Sequence, residues 1–394
     1  MPAPGISSPS ARTISKVPEW RIPLADVDLG PEEEAAVLRV LRSRWLSMGP
    51  EVEAFEREFA RMLAVDHAIA VANGTAALHL ALRALALQAG DEVVQPALNF
   101  VAAANMTLAV GARPVFADIV GLSEPSVDPE DLERRITART KAVVVMHYGG
   151  YLCRMEPIVR LCRDRGLVLV EDASHAVGAH WLSGAGPGRA AAGTMGDVGC
   201  FSFFSNKNLT TGEGGMIVTR RDDLAECLRR LRSHGMTTST WDRHRGHASS
   251  YDVIAPGFNY RLDELRAAIG RVQLQDLERN NRRRETVVAA YRRRFAPRPD
   301  WIVPFASYAG ESAHHLMTVV APDEPTRQQT VEALRRERIQ TSLHYPCVAD
   351  FSAFRTLEAP ALEHSRSFAR RMITLPLSPG MTEQQVAEIC GVIL

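Results

Sequence analysis

The stretch AIAVANGTAALHLALRALAL, residues 68–87, contains a strand, a turn and a helix in direct succession. Its first residues form a short apolar run of strand length, and the Ala- and Leu-rich segment after the turn is typical of a helix. Between the two, Asn73, Gly74 and Thr75 offer free backbone N–H groups, a glycine that permits close approach and a hydroxyl group. We interpret this turn as a candidate phosphate site, although the same residues could form a plain strand-to-helix turn.

The same alternation continues along the chain. Strand-length runs at 91–96, 112–119, 141–148 and 167–172 alternate with helical segments, and most of these runs are rich in Val, Ile and Leu. Strands that are buried on both faces have this composition, so the sequence predicts an α/β fold with a mostly parallel sheet. Two further strand-like segments, 200–204 and 214–219, flank the loop SNKNLTTGE.

The chain length favours more than one compact unit. We predict an N-terminal arm over residues 1–25, a large domain over 26–279 and a smaller C-terminal α+β domain over 280–394. A long helical stretch from Leu262 to about Phe295 joins the last two regions. In the small domain the pattern predicts strands at 314–320 and 340–346 and helices at 326–338 and 382–393.

Composition excludes several classes of protein. The 46 basic and 46 acidic residues give a formal net charge of zero, which argues against nucleic acid or an anionic membrane as a partner. The six cysteines form no C-x-x-C pair and no zinc-like cluster with histidine, so we expect reduced thiols, no metal site and a cytoplasmic protein. The N-terminus lacks the apolar segment of a signal peptide, and the longest apolar runs have strand length.

Lys207 is one of only three lysines in a chain whose other basic residues are all arginine. A lysine amine can lose its proton and form a Schiff base with an aldehyde, whereas a guanidinium cannot. Ser202 lies five residues before it, and Gly212, Gly214 and Gly215 follow it in a tight polar loop. The alternative is a surface lysine in a hairpin loop.

Three further side chains follow predicted strands, where an open α/β sheet binds its ligands. Asp172 could pair with a protonated ring nitrogen or could cap the next helix. His175 could face the same ligand or be a buried structural histidine, and Phe100 could stack on a flat ring or belong to the core. Together with Lys207 and the turn at Gly74 and Thr75, these residues make up the parts of a site for pyridoxal 5'-phosphate (PLP).

The sequence resembles the DegT/DnrJ/EryC1/StrS family, the PLP-dependent sugar aminotransferases of fold type I. The resemblance covers nearly the whole chain. It is carried by RSRWLSMGPEVEAFEREFA, ANGTAALHLAL, PALNFVAAANM, VEDASHAVGA, CFSFFSNKNLTTGEGGMIVT, GFNYRLDELRAAIGRVQL and LPLSPGMT. It implies a large domain with a seven-stranded, mostly parallel sheet flanked by helices, and a smaller C-terminal α+β domain.

The resemblance also implies roles for individual residues. Lys207 would be the Schiff-base lysine and proton shuttle, and Asp172 would pair with the pyridine nitrogen. Phe100 and His175 would lie against the two faces of the ring. The phosphate would be held by Gly74, Thr75 and Ser202, and by Asn259 from the neighbouring subunit of a homodimer. His344 and Tyr345 resemble positions that approach the substrate.

The resemblance further implies a reaction in two halves. Glutamate, or else glutamine, would convert PLP to pyridoxamine 5'-phosphate (PMP), which would then aminate a keto-sugar. We expect a nucleotide-linked (dTDP or UDP) 4-keto hexose or pentose, in a natural-product pathway such as antibiotic biosynthesis or in a surface-sugar pathway. The alternatives are a keto-cyclitol of the inosose type, and a PLP-binding regulator without turnover.

Two segments are individual to this chain, GAHWLSGAGPGRAAAGTMGD at 178–197 and STWDRHRGHASSYDV at 239–253. We interpret both as mobile loops over the site. His234, His244 and His247 lie in or near the second segment, and we interpret them as solvated loop residues rather than metal ligands.

Overall fold

The computed structural model describes residues 20–182, 188–238, 250–357 and 361–394, together with residues 241, 244 and 246. Its strands are β1 (His67–Val71), β2 (Glu92–Pro96), β3 (Arg113–Ala117), β4 (Ile119–Gly121), β5 (Glu124–Val127), β6 (Thr140–Met146), β7 (Val168–Asp172), β8 (His180–Leu182), β9 (Arg189–Ala191), β10 (Val198–Ser202), β11 (Gly215–Thr219), β12 (Met317–Val320) and β13 (Met372–Leu375).

The helices alternate with the strands in the first half of the chain and dominate the second. They are α1 (Pro31–Ser43), α2 (Pro50–Leu63), α3 (Gly74–Ala84), α4 (Ala102–Ala109), α5 (Pro129–Arg135), α6 (Met155–Arg165), α7 (Asp222–Arg232), α8 (Glu264–Phe295), α9 (Glu324–Arg336), α10 (Glu363–Arg371) and α11 (Glu383–Ile393). Three short 3-10 turns lie at Tyr148–Gly150, Val348–Asp350 and Ser352–Phe354.

Seven strands form the central sheet, in the order β1-β11-β10-β7-β6-β2-β3. Strand β11 runs antiparallel to both of its neighbours, and the other adjacent pairs are parallel. The predicted α/β fold with a mostly parallel sheet is confirmed. Because the parallel strands end at one edge of the sheet, the residues after β1, β2, β7 and β10 are brought to the same end of the molecule.

Two hydrophobic cores are joined by α8. The first half of this helix places Ala267 and Leu277 in the core on the sheet, and its second half places Tyr291 and Phe295 in a core with β12, β13 and α11. The predicted boundary at 279/280 therefore lies inside one continuous helix. The division into domains stays a prediction.

The predicted N-terminal arm is only partly described, since residues 1–19 lie outside the described residues. Ile22 is buried and forms an isolated parallel bridge with Ile339. Arg21 N–H donates to Arg338 O at 2.9 Å, and Gln340 N–H donates to Ile22 O at 2.9 Å. Residues 20–22 thus pack against the C-terminal part of the chain.

The predicted strand at 340–346 is wrong. Ser342 forms only an isolated bridge with Thr374. The carbonyl oxygen of His344 accepts a hydrogen bond from the Tyr148 hydroxyl, and His344 Nδ1 contacts Thr374 Oγ1 at 3.0 Å. The segment thus shares one pair of backbone hydrogen bonds with β13, bonds beyond it through His344 to side chains, and runs as a loop.

The segment at 178–197 also differs from its prediction as a mobile loop. Its described part forms the antiparallel hairpin of β8 and β9, with His180 opposite Ala191. Strands of only three residues carry almost no periodic signal, which explains why the hairpin was not predicted. Much of 239–253, including His247, lies outside the described residues.

Candidate active site

A cleft of about 400 Å³ opens where β1, β2, β7 and β10 end. This volume lies in the range of ordinary small-molecule sites. Its walls include almost all of the predicted site residues: Gly74, Thr75, Phe100, Asp172, His175, Ser202, Lys207, His344 and Tyr345. They come from segments far apart in sequence, so the sheet topology brings them together. Their individual roles stay predictions.

One end of the cleft is built for a small anion. Asn73 caps α3 through its side-chain oxygen, which accepts the Ala76 N–H at 2.8 Å. This leaves Gly74 and Thr75 at the open N-terminus of the helix, beside Ser202. A Cβ atom on Gly74 would come 2.7 Å from Ser202 Cβ, so only glycine allows this close approach.

Lys207 and Asp172 lie in the same cleft. Burial lowers the pKa of the Lys207 amine to about 8, against the opposing effect of the Asp172 carboxylate. About a tenth of the amine is therefore neutral, and nucleophilic, at pH 7, far more than for a lysine of ordinary pKa. Asp172 is buried, and its Oδ1 accepts the Ser174 N–H at 3.1 Å within a turn. No helix follows directly, so Asp172 is not the helix cap of the alternative interpretation.

His175 and Tyr345 form a hydrogen-bonded pair. The Gly149 N–H donates to His175 Nδ1 at 3.3 Å, so in the neutral ring the proton is on Nε2, which donates to Tyr345 Oη at 2.8 Å. Burial, with Lys207 and His344 nearby, holds the pKa of His175 well below its usual value. Burial also holds the pKa of Tyr345 well above 10, so both groups are neutral and the phenol hydrogen is left for another acceptor.

The aromatic wall of the cleft consists of exposed rings. Phe100 is 54 % exposed, and its ring centroid lies 5.9 Å from that of Tyr345. Phe204 is 44 % exposed and borders the same space. Because both rings are exposed at the border of the cleft, both are available to a flat or apolar group.

Sequence reasoning missed several residues in the cleft walls. They include Asn99, Met146, Phe204, Asn206 and Glu213. Asn99 is 2 % exposed, and neither atom of its amide has a hydrogen-bond partner. Asn99 directly precedes Phe100 and Asn206 directly precedes Lys207, and this adjacency is the signal that could have identified them.

Asn259 does not border this cleft. It is exposed and forms an isolated antiparallel bridge with Ser233, next to Tyr260, whose carbonyl oxygen accepts the Ala72 N–H at 2.8 Å. The backbone of His234 lies in the left-handed region, with φ 61°. The centroid of the His244 ring lies 5.6 Å from the centroid of the Trp241 ring. Within the described part of the chain, no three His, Cys, Asp or Glu side chains are grouped to hold a metal ion.

No described helix is long and apolar enough to span a bilayer.

A lysine amine, a carboxylate and an anion cradle at the carboxyl edge of this sheet define the class of PLP-dependent transferases of fold type I. The DegT/DnrJ/EryC1/StrS aminotransferase family model matches residues 27–394. The chain belongs to this family and is a PLP-dependent sugar aminotransferase. The family resemblance, the fold class and the type of enzyme predicted from the sequence are confirmed.

Relatives and solved structures are similar over most of their length. SpsC of Bacillus subtilis, a spore coat polysaccharide biosynthesis protein, is 37% identical over 372 residues, which cover 92% of this chain and 93% of SpsC. The PLP-form of Spr1654 from Streptococcus pneumoniae has a TM-score of 0.85 at 25% identity, covering 94% and 97% of the two chains. DesI, solved in the presence of its TDP-sugar product, has a TM-score of 0.82 at 29% identity, covering 94% and 90%.

The residues of the cleft fit PLP. Its phosphate matches the cradle that Gly74 leaves open beside Ser202, and its aldehyde matches the Lys207 amine. Its ring nitrogen needs an acid, and Asp172 is a buried carboxylate in the same cleft. The predicted cofactor is thus consistent with the chemistry of the donor groups that this structure brings together.

Proposed function

We propose that this enzyme transfers the amino group of glutamate to a nucleotide-linked keto-sugar, a 4-keto hexose or pentose carried on dTDP or UDP. The observation that supports transamination is the Lys207 amine, whose pKa is lowered to about 8. This amine shares its cleft with Asp172 and an anion cradle. The nucleotide link is supported by DesI, which was solved with a TDP-sugar product.

The cofactor would be held at three points. Gly74, Thr75 and Ser202 would bind the phosphate, Asp172 the ring nitrogen, and Lys207 the aldehyde carbon. Phe100 and His175 would flank the ring. When bound, PLP supplies an electron sink for the electron pair released when the amino donor loses its Cα proton.

Lys207 would move that proton. The Nζ atom takes the proton from Cα of glutamate only as a neutral amine, so its lowered pKa increases the reactive fraction at neutral pH. Nζ would pass that proton to the cofactor carbon that carried the aldehyde, and in the second half-reaction it would carry a proton from this carbon to the carbon of the former ketone. Guanidinium could perform neither step, which explains a lysine in a chain that otherwise uses arginine.

Tyr345 would orient the acceptor. Because His175 Nε2–H donates to Tyr345 Oη, the phenol hydrogen points to a different acceptor, and a hydroxyl or keto oxygen of a sugar is one such group. Both members of the pair stay neutral across the physiological pH range. His344 borders the same region, and burial lowers its pKa to about 4, so it too would contact the substrate as a neutral ring.

We further propose that the enzyme is a homodimer in which Asn259 completes the partner's phosphate site. Support comes from the surface around Asn259, which is exposed and away from its own cleft. The preceding segment exposes apolar side chains, with Tyr251 at 56 %, Val253 at 52 % and Ile254 at 52 %. Such a patch is typical of a protein interface.

The test uses purified holoenzyme and the two half-reactions separately. Glutamate alone should convert the PLP spectrum to that of PMP, and a regulator without turnover would leave the spectrum unchanged. The PMP form is then mixed with dTDP- and UDP-linked 4-keto sugars, the matching free sugars and an inosose. Return of the PLP spectrum only with nucleotide-linked sugars is expected, and a response to the inosose alone would overturn the substrate proposal.

A further inference from the structure

We propose that Asn208, Asn281 and His315 form a buried clamp that positions the catalytic loop around Lys207. The inference rests on the proposed role of Lys207 as the cofactor-binding lysine. Asn208 directly follows Lys207, and its amide contacts residues that lie 73 and 107 positions further along the chain. The three clamp residues are at most 9 % exposed.

The orientation of both amides is fixed by backbone carbonyl groups. Asn208 has a side-chain atom 2.6 Å from Ala313 O, and Asn281 has one 3.0 Å from Val177 O. A carbonyl oxygen only accepts hydrogen bonds, so each of these atoms must be the amide nitrogen Nδ2. Asn281 Oδ1 therefore faces Asn208 and accepts from its Nδ2 at 2.8 Å.

The tautomer of His315 follows from the same argument. Because Nδ2 of Asn208 faces Ala313, the atom that faces His315 is Oδ1, which only accepts, so His315 Nδ1 at 2.9 Å must carry the proton. His315 Nε2 is buried without a hydrogen-bond partner. A second proton there would be a buried, unpaired charge, so the ring is neutral, in agreement with a pKa held well below 6.5 by burial.

The clamp joins three parts of the fold. It ties the loop after β10 to α8 through Asn281, and to the segment before β12 through Ala313 and His315. The centroid of the His315 ring also lies 4.4 Å from the centroid of the His175 ring, which belongs to the wall of the cleft. A side chain fixed by three hydrogen bonds next to Lys207 restricts where the backbone can place the Lys207 amine.

The clamp contains no carboxylate. The charged and titratable groups around Lys207 and His315 are Asp172, Glu213, His175, His344, Tyr345 and Arg284, and none of them belongs to the clamp. Neutral amides and a neutral imidazole can hold the loop without adding negative charge that would favour the ammonium form. A looser loop would let water reach the amine and raise its pKa toward the usual 10.5.

A matched pair of substitutions separates the hydrogen bond from packing. In His315→Asn the amide nitrogen takes about the place of the imidazole Nδ1 and still donates to Asn208 Oδ1. In His315→Leu the side chain stays large and apolar, but Asn208 Oδ1 loses its donor. Rescue by the asparagine variant is therefore expected if the bond matters, and not if the site only needs volume.

The first measurement is the pH dependence of the rate at which Lys207 is acetylated. Mass spectrometry monitors the reaction in the full-length protein after the cofactor has been removed. Lys141, which is exposed, is the internal reference. The wild type and His315→Asn should share a midpoint near pH 8, and His315→Leu should move it upward by about one unit or more. In holoenzyme, His315→Leu should lower kcat for the glutamate half-reaction about tenfold or more with KM within about twofold.

The proposed positioning role would be overturned if His315→Leu lowered only Tm and left the Lys207 acetylation midpoint and kcat unchanged. If His315→Leu does not fold, Asn281→Ala carries the same test, and an unchanged midpoint and kcat there would also overturn it. The acetylation profile does not depend on turnover. A failure of the proposed function would instead appear as a Lys207→Ala protein that retains its visible cofactor absorbance, so the two failures are distinguishable.

Discussion

Lys207 could be identified from the sequence because it is rare and lies in a loop between two strands. Its chemistry, however, depends on burial, which lowers the pKa of the amine to about 8. Burial is a property of the folded chain, and so are the contacts of Asn208 with Asn281 and His315. The nearest neighbours of the central residue could therefore not be predicted, whereas the residue itself could.

Gly74→Ala tests the anion cradle at the scale of one methyl group. The new Cβ would come 2.7 Å from Ser202 Cβ, so Ser202 must move and its hydroxyl leaves the phosphate position. We expect the Kd for PLP, measured by titrating cofactor-free protein, to rise about tenfold or more. Gly121→Ala is the control, since nothing lies within 4 Å of its added Cβ. Equal affinities in the two variants would contradict the cradle.

Elements with strong patterns were predicted well and weak ones were not. The runs of Val, Ile and Leu gave the strands of the central sheet, and the long pattern ending near Phe295 matches α8. The short hairpins of β4 with β5 and of β8 with β9 were missed, because three or four residues show no measurable period. The predicted strand at 340–346 failed because its backbone and side chains bond to Tyr148 and Thr374.

One contact between elements links the start of α8 to the start of α2. The buried Glu264 carboxylate accepts the N–H groups of Gly49, Glu51 and Val52 at 2.8, 2.9 and 3.0 Å. No local pattern in α2 predicts this cap, because the acceptor comes from more than 200 residues away.

Glu264→Ala would leave these three donors without their acceptor. We expect the free energy of unfolding, measured by urea titration, to fall by about 1–3 kcal/mol. The neighbouring carboxylate of Asp263 is already engaged, because it caps α8 by accepting the Arg266 N–H at 2.9 Å. Asp66→Ala, a change at an exposed loop residue, serves as the control. A Glu264→Ala protein as stable as that control would contradict the role of the cap.

At the scale of the whole molecule, the fold and the family could be predicted because several long motifs coincide in one chain. The homodimer with a shared phosphate site is implied by the resemblance alone and stays a prediction, since Asn259 lies on the surface and its proposed target belongs to another copy. What the fold contributes is the position of Asn259, which is exposed, bridges to Ser233 and follows an exposed apolar segment.

Hybrid dimers test whether Asn259 acts in the partner's site. Lys207→Ala and Asn259→Ala subunits are each expected to form dimers of little activity. If Asn259 acts across the interface, a hybrid of the two has one site with both residues intact and should recover about half of the wild-type kcat. If it acts within its own subunit, no site in the hybrid is intact, and activity no higher than that of the Asn259→Ala dimer would contradict the shared site.

The central claim is that the Lys207 amine is the group that binds the cofactor aldehyde. The most direct measurement is reduction of the holoenzyme with borohydride, digestion, and mass spectrometry of the peptides that carry the three lysines. The account predicts a stable phosphopyridoxyl group on Lys207 and on neither Lys16 nor Lys141, and no such group in Lys207→Arg. The same group on Lys16 or Lys141, or on no lysine of a yellow enzyme, would contradict it.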